Sequence, residues 1–470
     1  MGVDQGGVQV DDQWVTGGDR ITACRGGRAI GPGRKYRVRT DAGDGTHEFV
    51  ACCQLSTPSA LDSISRCIYN CSNNYSICSN PGMTRRGATV AIPRRILIVG
   101  GGIAGLTFAA ALKHHGATAD MVDLAPEWRP VGSGIAIGFN GILALNTIGM
   151  GVAVQDRGVP LNKVTIFDSD GSHMNGFGFG AVADVYGTTT IGIHRGALHD
   201  ALAASLENNP RLGVTVTGLR ELPGGIVAEF SDGTSAEYDL VVGADGRASQ
   251  VRKLIFGEIE RRYAGYSAIR VVIPRPTGFE GMSELWGSGR RMGILPIGDD
   301  LLYSYSTFPS ARGVVRDASE SMRLLRELFG SFDGPARYVV ESNPDDASIH
   351  SGDIEEVILT TWVTRRVALI GDAAHAMCPD LGQGGSMAIE DAITLARTLN
   401  NSPEIGGALL EYQIKRSRRV RDIQRKSHQY GWMVHRKTRP ALAVRRGIFK
   451  RLESDRLARI TVASLINPVY

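Results

Sequence analysis

The chain mixes short, wholly apolar runs with segments whose apolar residues recur at helical spacing. RRILIVG (94–100) reads as a strand buried on both faces, because its apolar run is continuous. Residues 104–115 follow at helical spacing with small residues on one side, and ATADMVDL (117–124) is a second strand. Together they make a βαβ unit of about 30 residues. The pattern predicts a helix over 140–150, strands over 163–168 and 189–193, and a helix over 195–207. VTVTGLREL, GIVAEFSDG and YDLVVGADG read as a meander returning to the first sheet. From about residue 262 to 354, alternation as in YSAIRVVI and LLYSYSTF predicts a second, more antiparallel sheet. A strand over 366–370 precedes a mostly helical stretch from 387 onward, and no solenoid-length repeat occurs.

At 470 residues, two or three domains are expected. The 59 glycines imply many tight turns or close backbone approaches to a ligand. The net charge of +4 is unevenly spread: residues 413–459 hold 16 Lys/Arg against 3 Asp/Glu. This predicts a solvated basic helical face, with an anion, membrane-surface or subunit contact as the sharper alternative. No apolar run reaches the roughly 18 residues needed to span a bilayer, and MGVDQGGVQVDDQW lacks the features of a signal peptide. A cytoplasmic location is the expectation. Six of seven cysteines fall within the first 78 residues, and Cys67, Cys71 and Cys78 lack a paired zinc spacing, so no metal is expected. Residues 1–90 are expected to be a disordered or non-native extension, with the functional protein starting near Met83.

Gly100-x-Gly102-x-x-Gly105 lies after a strand and before a helix, and Asp123 ends the next strand. The first glycine permits a tight turn, the second lets backbone approach a diphosphate, and the third lets helix and strand pack closely. Gly102, Ile103 and Ala104 would offer the helix N-terminus to the diphosphate, and Asp123 would accept from ribose hydroxyls. This motif alone does not separate NAD from FAD. Two later strands do: LVVGADGRASQVR (240–252), with Asp245 and Gly246, and VALIGDAAHAMCPDLGQGGSMAIEDA (367–392). A cofactor read at three such places must be long, which selects FAD. Asp372 would bind ribityl hydroxyls. The loop Gly382-Gln383-Gly384-Gly385 opens a helix whose free N–H groups suit the flavin's pyrimidine edge.

These motifs, with PVGSGIAIGFN (130–140) and HRGALHDAL (194–202), resemble the single-component FAD-dependent aromatic hydroxylases, the para-hydroxybenzoate, salicylate and urate hydroxylase superfamily. RRYAGY (261–266) and Pro-Asp-Leu-Gly-Gln-Gly-Gly are closest to the salicylate and urate branch. The resemblance implies an α/β fold: a Rossmann-like FAD-binding domain (91–165, 189–260 and 360–400), an inserted mixed or antiparallel substrate-binding sheet (166–188 and 261–359), and a basic helical region (401–470). It implies that Arg195 contacts FAD, that Asp245 and Gly246 serve flavin and nicotinamide cofactor, and that Pro379 lies near the isoalloxazine. It also puts Arg252 and Tyr263 on the substrate side, as candidate catalytic residues. Tyr266, Arg270, Tyr303, Tyr305 and His350 fall in the sheet expected to roof the flavin. His375 is expected to bond locally and Cys378 to be an unreactive small residue. The implied activity is NADH- or NADPH-dependent hydroxylation of a small aromatic or heteroaromatic substrate by O2 through a flavin C4a-hydroperoxide, in a monomer or homodimer that binds no nucleic acid. The alternatives are a flavin-binding protein with little turnover, used for ligand sequestration or redox sensing, and another flavoenzyme of the same fold. A halogenase is disfavoured because no Trp-x-Trp-x-Ile-Pro signature occurs.

Overall fold

The computed structural model describes residues 95–451, apart from 129–132, 299, 315 and 346–347, together with the backbone of five strands between residues 7 and 53. The chain divides into two compact units, 1–89 and 90–470. In the first, Gly7–Val10 pairs antiparallel with Gln13–Thr16, and Ile21–Ala23, Arg34–Ala42 and Gly45–Cys53 form a three-stranded antiparallel sheet. Cys24, Cys67, Cys71, Cys78 and Met83 lie outside the described residues.

The second unit rests on a five-stranded parallel sheet in the order Arg211–Leu212, Asp120–Asp123, Ile96–Val99, Leu240–Gly243, Val367–Leu369. Its three inner and edge strands ILIV, LVVG and VAL are fully buried, as strands covered on both faces must be. Helix Ile103–His114 packs against helix Gly384–Asn401, and alanines and a glycine on the first helix keep the two close. Val216–Glu221, Ile226–Phe230 and Ser235–Tyr238 form the meander that leads back into Leu240–Gly243.

The second sheet has seven strands: His173–Gly178, Lys163–Asp168, Met282–Trp286, Arg291–Pro296, Leu301–Pro309, Arg262–Pro274 and Ile349–Glu356. All neighbours are antiparallel except Lys163–Asp168 with Met282–Trp286. Strand alternation sorts its side chains. Ile269, Val271, Ile273, Met292 and Ile294 pack under Leu325 and Phe329 of helix Ala318–Phe329. Arg270, Tyr303, Tyr305 and Arg291 point the other way, into a cavity.

The basic C-terminal stretch is helical over Ile405–Val434 and Arg439–Arg451. Its charge is only partly a solvated face. Arg416 is fully buried and bonds Glu390 and Asp391, Arg419 joins it on Glu390, and buried Arg445 donates to Val434 and Gly287 carbonyls. Among the described residues, no helix is long and apolar enough to cross a membrane.

Candidate functional site

The first glycine turn is shaped by contacts that only glycine permits. Gly100 has φ +104°, and a Cβ there would lie 2.5 Å from the Ala244 carbonyl oxygen. A Cβ on Gly105 would lie 2.0 Å from the Gly100 oxygen, so helix and strand can approach only without it. Gly102, Ile103 and Ala104, at the open end of helix Ile103–His114, line a cavity of about 700 Å³. Asp123 does not line it. Its carboxylate accepts from Gly101 N–H (2.6 Å) and Ala125 N–H (2.8 Å), which ties the second strand's end to the turn.

The second glycine loop reaches the same cavity from the far end of the sheet. Gly371 N–H donates to buried Asp391, which also accepts from Arg416 and pairs with His375. This holds Asp372 at the start of a short helix, exposed and facing the cavity. Pro379, Gly382, Gln383, Gly384 and Gly385 line the next stretch, where helix Gly384–Asn401 begins. Its first N–H groups have no partner four residues back, as at any helix start. Buried Asn140 donates to Gln383 and Glu390, and Ser386 accepts from Gly138 N–H, so this loop is locked to the 138–140 turn. Arg195 and Gly246 also line the cavity. Asp245 lies behind it, accepting from Ser249 Oγ (2.5 Å) and Val251 N–H (3.0 Å), and burial pushes its carboxyl above the ordinary range.

The roof is the alternating face of the seven-stranded sheet. Its centre is a buried polar cluster around Arg291, which pairs with Glu284 and reaches Asp380 at 2.9 Å. Tyr305 Oη donates to Glu284 at 2.5 Å, Trp286 Nε1 at 3.0 Å and Tyr430 Oη at 3.2 Å. Tyr266 donates to Asp380. Burial opposes charge on Glu284, but the Arg291 guanidinium and these hydrogen bonds outweigh it and hold the carboxyl below its ordinary range. Asp380 goes the other way: burial raises it despite Arg291. Burial also raises Tyr303, Tyr305 and Tyr430. Arg270 and Tyr303 also line the cavity from this sheet.

The two candidate catalytic residues stand outside the lining. Arg252 is buried, and its guanidinium donates to the carbonyls of Ala373 (2.9 Å) and Arg247 (2.8 Å), bracing the Asp372 turn. Tyr263 donates to the Ser310 carbonyl at 2.7 Å, and burial raises its phenol. His350 stands opposite Arg270 on the neighbouring strand but does not line the cavity. Cys378 is buried, with its thiol pushed well up by burial and by Glu356 and Asp380, which leaves it unreactive. Sequence reasoning missed Glu284, Arg291, Asp380 and Tyr430. The available signal covered two of them: an acid inside the strand MSELW and an arginine opening the apolar strand RMGILP.

The FAD binding domain family matches residues 94–427. The aurachin C monooxygenase/isomerase of Stigmatella aurantiaca is 34% identical over 365 residues, covering 77% of this chain and 95% of that protein. The 2-heptyl-3-hydroxy-4(1H)-quinolone synthase of Pseudomonas aeruginosa is 34% identical over 345 residues, covering 73% and 88%. Among solved structures, Klebsiella pneumoniae HpxO complexed with FAD and uric acid superposes with a TM-score of 0.73 at 26% identity, covering 79% of this chain and 96% of that one.

Proposed function

Because the chain belongs to the FAD binding domain family, as an FAD-dependent monooxygenase, we propose that it uses NADH or NADPH and O2 to hydroxylate an oxo- or hydroxy-substituted nitrogen heteroaromatic ring. The observation that carries this reading is one cavity with two unlike walls: glycine-rich helix ends and exposed Asp372 on one, the Glu284–Arg291–Tyr305 cluster on the other. The ring type is supported by relatives: one structure holds uric acid, and one protein is named for a quinolone.

FAD fits the donors that face this cavity. The N–H groups of Gly102, Ile103 and Ala104 would hold the diphosphate, with Gly100 and Gly105 shaping the turn. Asp123 would hold the diphosphate turn in shape through Gly101 and Ala125 N–H, and Asp372 would take the ribityl hydroxyls. Gly382, Gln383, Gly384 and Gly385 would meet the pyrimidine edge, with Pro379 at the ring, Arg195 and Gly246 bracketing the cofactor, and Asp245 behind them holding the turn through Ser249 and Val251. Bound there, FAD would supply two-electron reduction by the nicotinamide and activation of O2, with one oxygen atom going to the ring and the other leaving as water.

The chain's own residues then act on the substrate. Arg270 and Arg291 favour negative charge on the ring's oxygen substituent as attack proceeds. Tyr305, bonded to ionised Glu284, holds the proton that this oxygen exchanges. Asp380 accepts from Arg291 and Tyr266, which fixes the guanidinium between Asp380 and Glu284. The sheet's apolar flank excludes water. Arg252 and Tyr263 are positioning residues, one for the Asp372 turn and one for the 310 loop.

The test is the visible spectrum of the purified full chain after FAD addition, then NADH and NADPH oxidation with urate, hydroxypyridine carboxylates and 4-hydroxyquinoline. Oxidation accelerated by one heterocycle, with a product one oxygen atom heavier, is expected. Failure to take up FAD overturns the reading. So does oxidation that yields only hydrogen peroxide with every compound.

A further inference from the structure

The cavity face of the seven-stranded sheet changes character across its width. On the Arg262–Pro274, Leu301–Pro309 and Arg291–Pro296 strands its lining is mostly polar, with Arg270, Tyr303, Tyr305, Thr307 and Arg291 beside Ala268 and Leu295, and it ends at Glu284. Beyond Glu284 the side chains that line the cavity are hydrocarbon, while buried Asn175, opposite Ile166, turns its amide to the Phe449 carbonyl. Register sets Val164 opposite Phe177 on one side and Met282 on the other, so one apolar row crosses three strands. Ile166 stands beside Glu284 in the next row. Phe449, from helix Arg439–Arg451, lines the same end, its ring edge-on to Trp286 with centroids 4.6 Å apart. All five side chains line the same cavity as Pro379 and the Glu284–Arg291 cluster.

A compact polar heterocycle has nothing to place there. Its oxygens and nitrogens find partners at Arg270, Arg291 and Tyr305, and the apolar row would be left against water. Two inter-strand steps span about 10 Å, enough for a medium-length alkyl chain. We propose that the substrate is a heteroaromatic ring bearing an aliphatic chain. The ring lies at the Glu284–Arg291–Tyr305 cluster, and the chain lies along Val164, Ile166, Phe177 and Met282 under Phe449. The inference rests on the monooxygenase reading of the same cavity. Ile166 and Met282 are then specificity-determining residues, since each joins the polar end to the apolar row.

The experiment uses the FAD-loaded full chain and 4-hydroxyquinolines with no substituent or with methyl, propyl, pentyl or heptyl at position 2. Dissociation constants are read from the ligand-induced change in the flavin spectrum, and turnover from NADH or NADPH consumption with product mass. The expected result is tighter binding with chain length, by up to about fourfold per methylene. Ile166→Trp should flatten that dependence by filling the row, and Met282→Trp should do the same if the first variant fails to take up FAD. Binding that does not vary with chain length overturns the inference, as does failure of every quinoline to bind. In either case, hydroxylation of a chainless heterocycle shows that the monooxygenase reading stands by itself. A chain-length dependence that survives both substitutions also overturns it, because the chain then lies elsewhere.

Discussion

Replacing Gly293 with alanine would displace Tyr305 without removing a polar group. A Cβ at position 293 would lie 2.1 Å from Tyr305 Cζ and 2.3 Å from its Oη. Carbon contacts need about 3.5–4.0 Å, so the ring must retreat by roughly 1.5 Å. The tyrosine hydroxyl donates to Glu284 at 2.5 Å and accepts from Arg291 at 3.0 Å, and a retreat of that size breaks both bonds. A hydrogen bond to a charged group contributes about 1.5–3 kcal/mol. If it is made in the transition state, its loss lowers kcat/KM by roughly 10- to 150-fold. Crowding a packed site costs a further 1–3 kcal/mol or so of stability. Tyr305→Phe removes the same bonds without crowding. Both variants should therefore lose similar kcat/KM with the stimulating heterocycle. Both should bind FAD normally by fluorescence titration, since position 293 is on the second sheet. Both should melt at lower temperature by calorimetry, Gly293→Ala by more, because it adds the crowding to the lost bonds. Wild-type kcat/KM in Tyr305→Phe would refute a proton-holding role for this hydroxyl. Wild-type kcat/KM in Gly293→Ala alone would show that the ring relaxes without losing its bonds.

Arg416→Met leaves Glu390 and Asp391 buried without their shared cation, and should destabilise the second unit by about 3–5 kcal/mol in a denaturant titration. Asp372→Ala removes the exposed acceptor proposed for the ribityl chain and should weaken FAD binding by roughly 10- to 150-fold, read by flavin fluorescence. His435 stacks on Tyr266, bonds Gly431 and Thr307, and is pushed down to about 4 by burial, with Arg291, Arg445 and Lys437 adding to the effect. Its folded pKa lies below the unfolded one, so its contribution is complete above about pH 6.5 and is lost as pH falls through 4. That loss amounts to roughly 3 kcal/mol, and His435→Gln should flatten this part of the stability–pH curve. Asp380 and Asp245, both raised, contribute in the opposite sense: their share is largest at low pH and declines as pH rises through their folded values.

The parts that could be read without a structure are those whose causes are local. Gly100, Gly102 and Gly105 sit within six residues, and their turn, open helix end and close packing follow from the missing side chains. The same holds for Gly371-Asp372 and Gly382 to Gly385, where a strand end and a helix start mark the loop. Strand alternation likewise announced a second sheet. It did not announce that Lys163–Asp168 would lie parallel to Met282–Trp286, because register depends on which apolar faces meet. Nor could it reveal the Glu284–Arg291–Asp380 cluster. Asp380 lies 89 residues from Arg291, and Tyr430 lies 146 from Glu284. Glu284 and Arg291 show in the sequence only as charges in short apolar strands, and burial and pairing shift their pKa values only once they are together. Arg252 shows the reverse. Its motif pointed to the substrate side, yet its guanidinium finds two backbone carbonyls instead. Local sequence thus determined the glycine-rich turns on one side of the cavity, because backbone conformation decides them. Tertiary packing decided the polar wall on the other side, because charge, desolvation and register are properties of neighbours that the chain brings together only when folded.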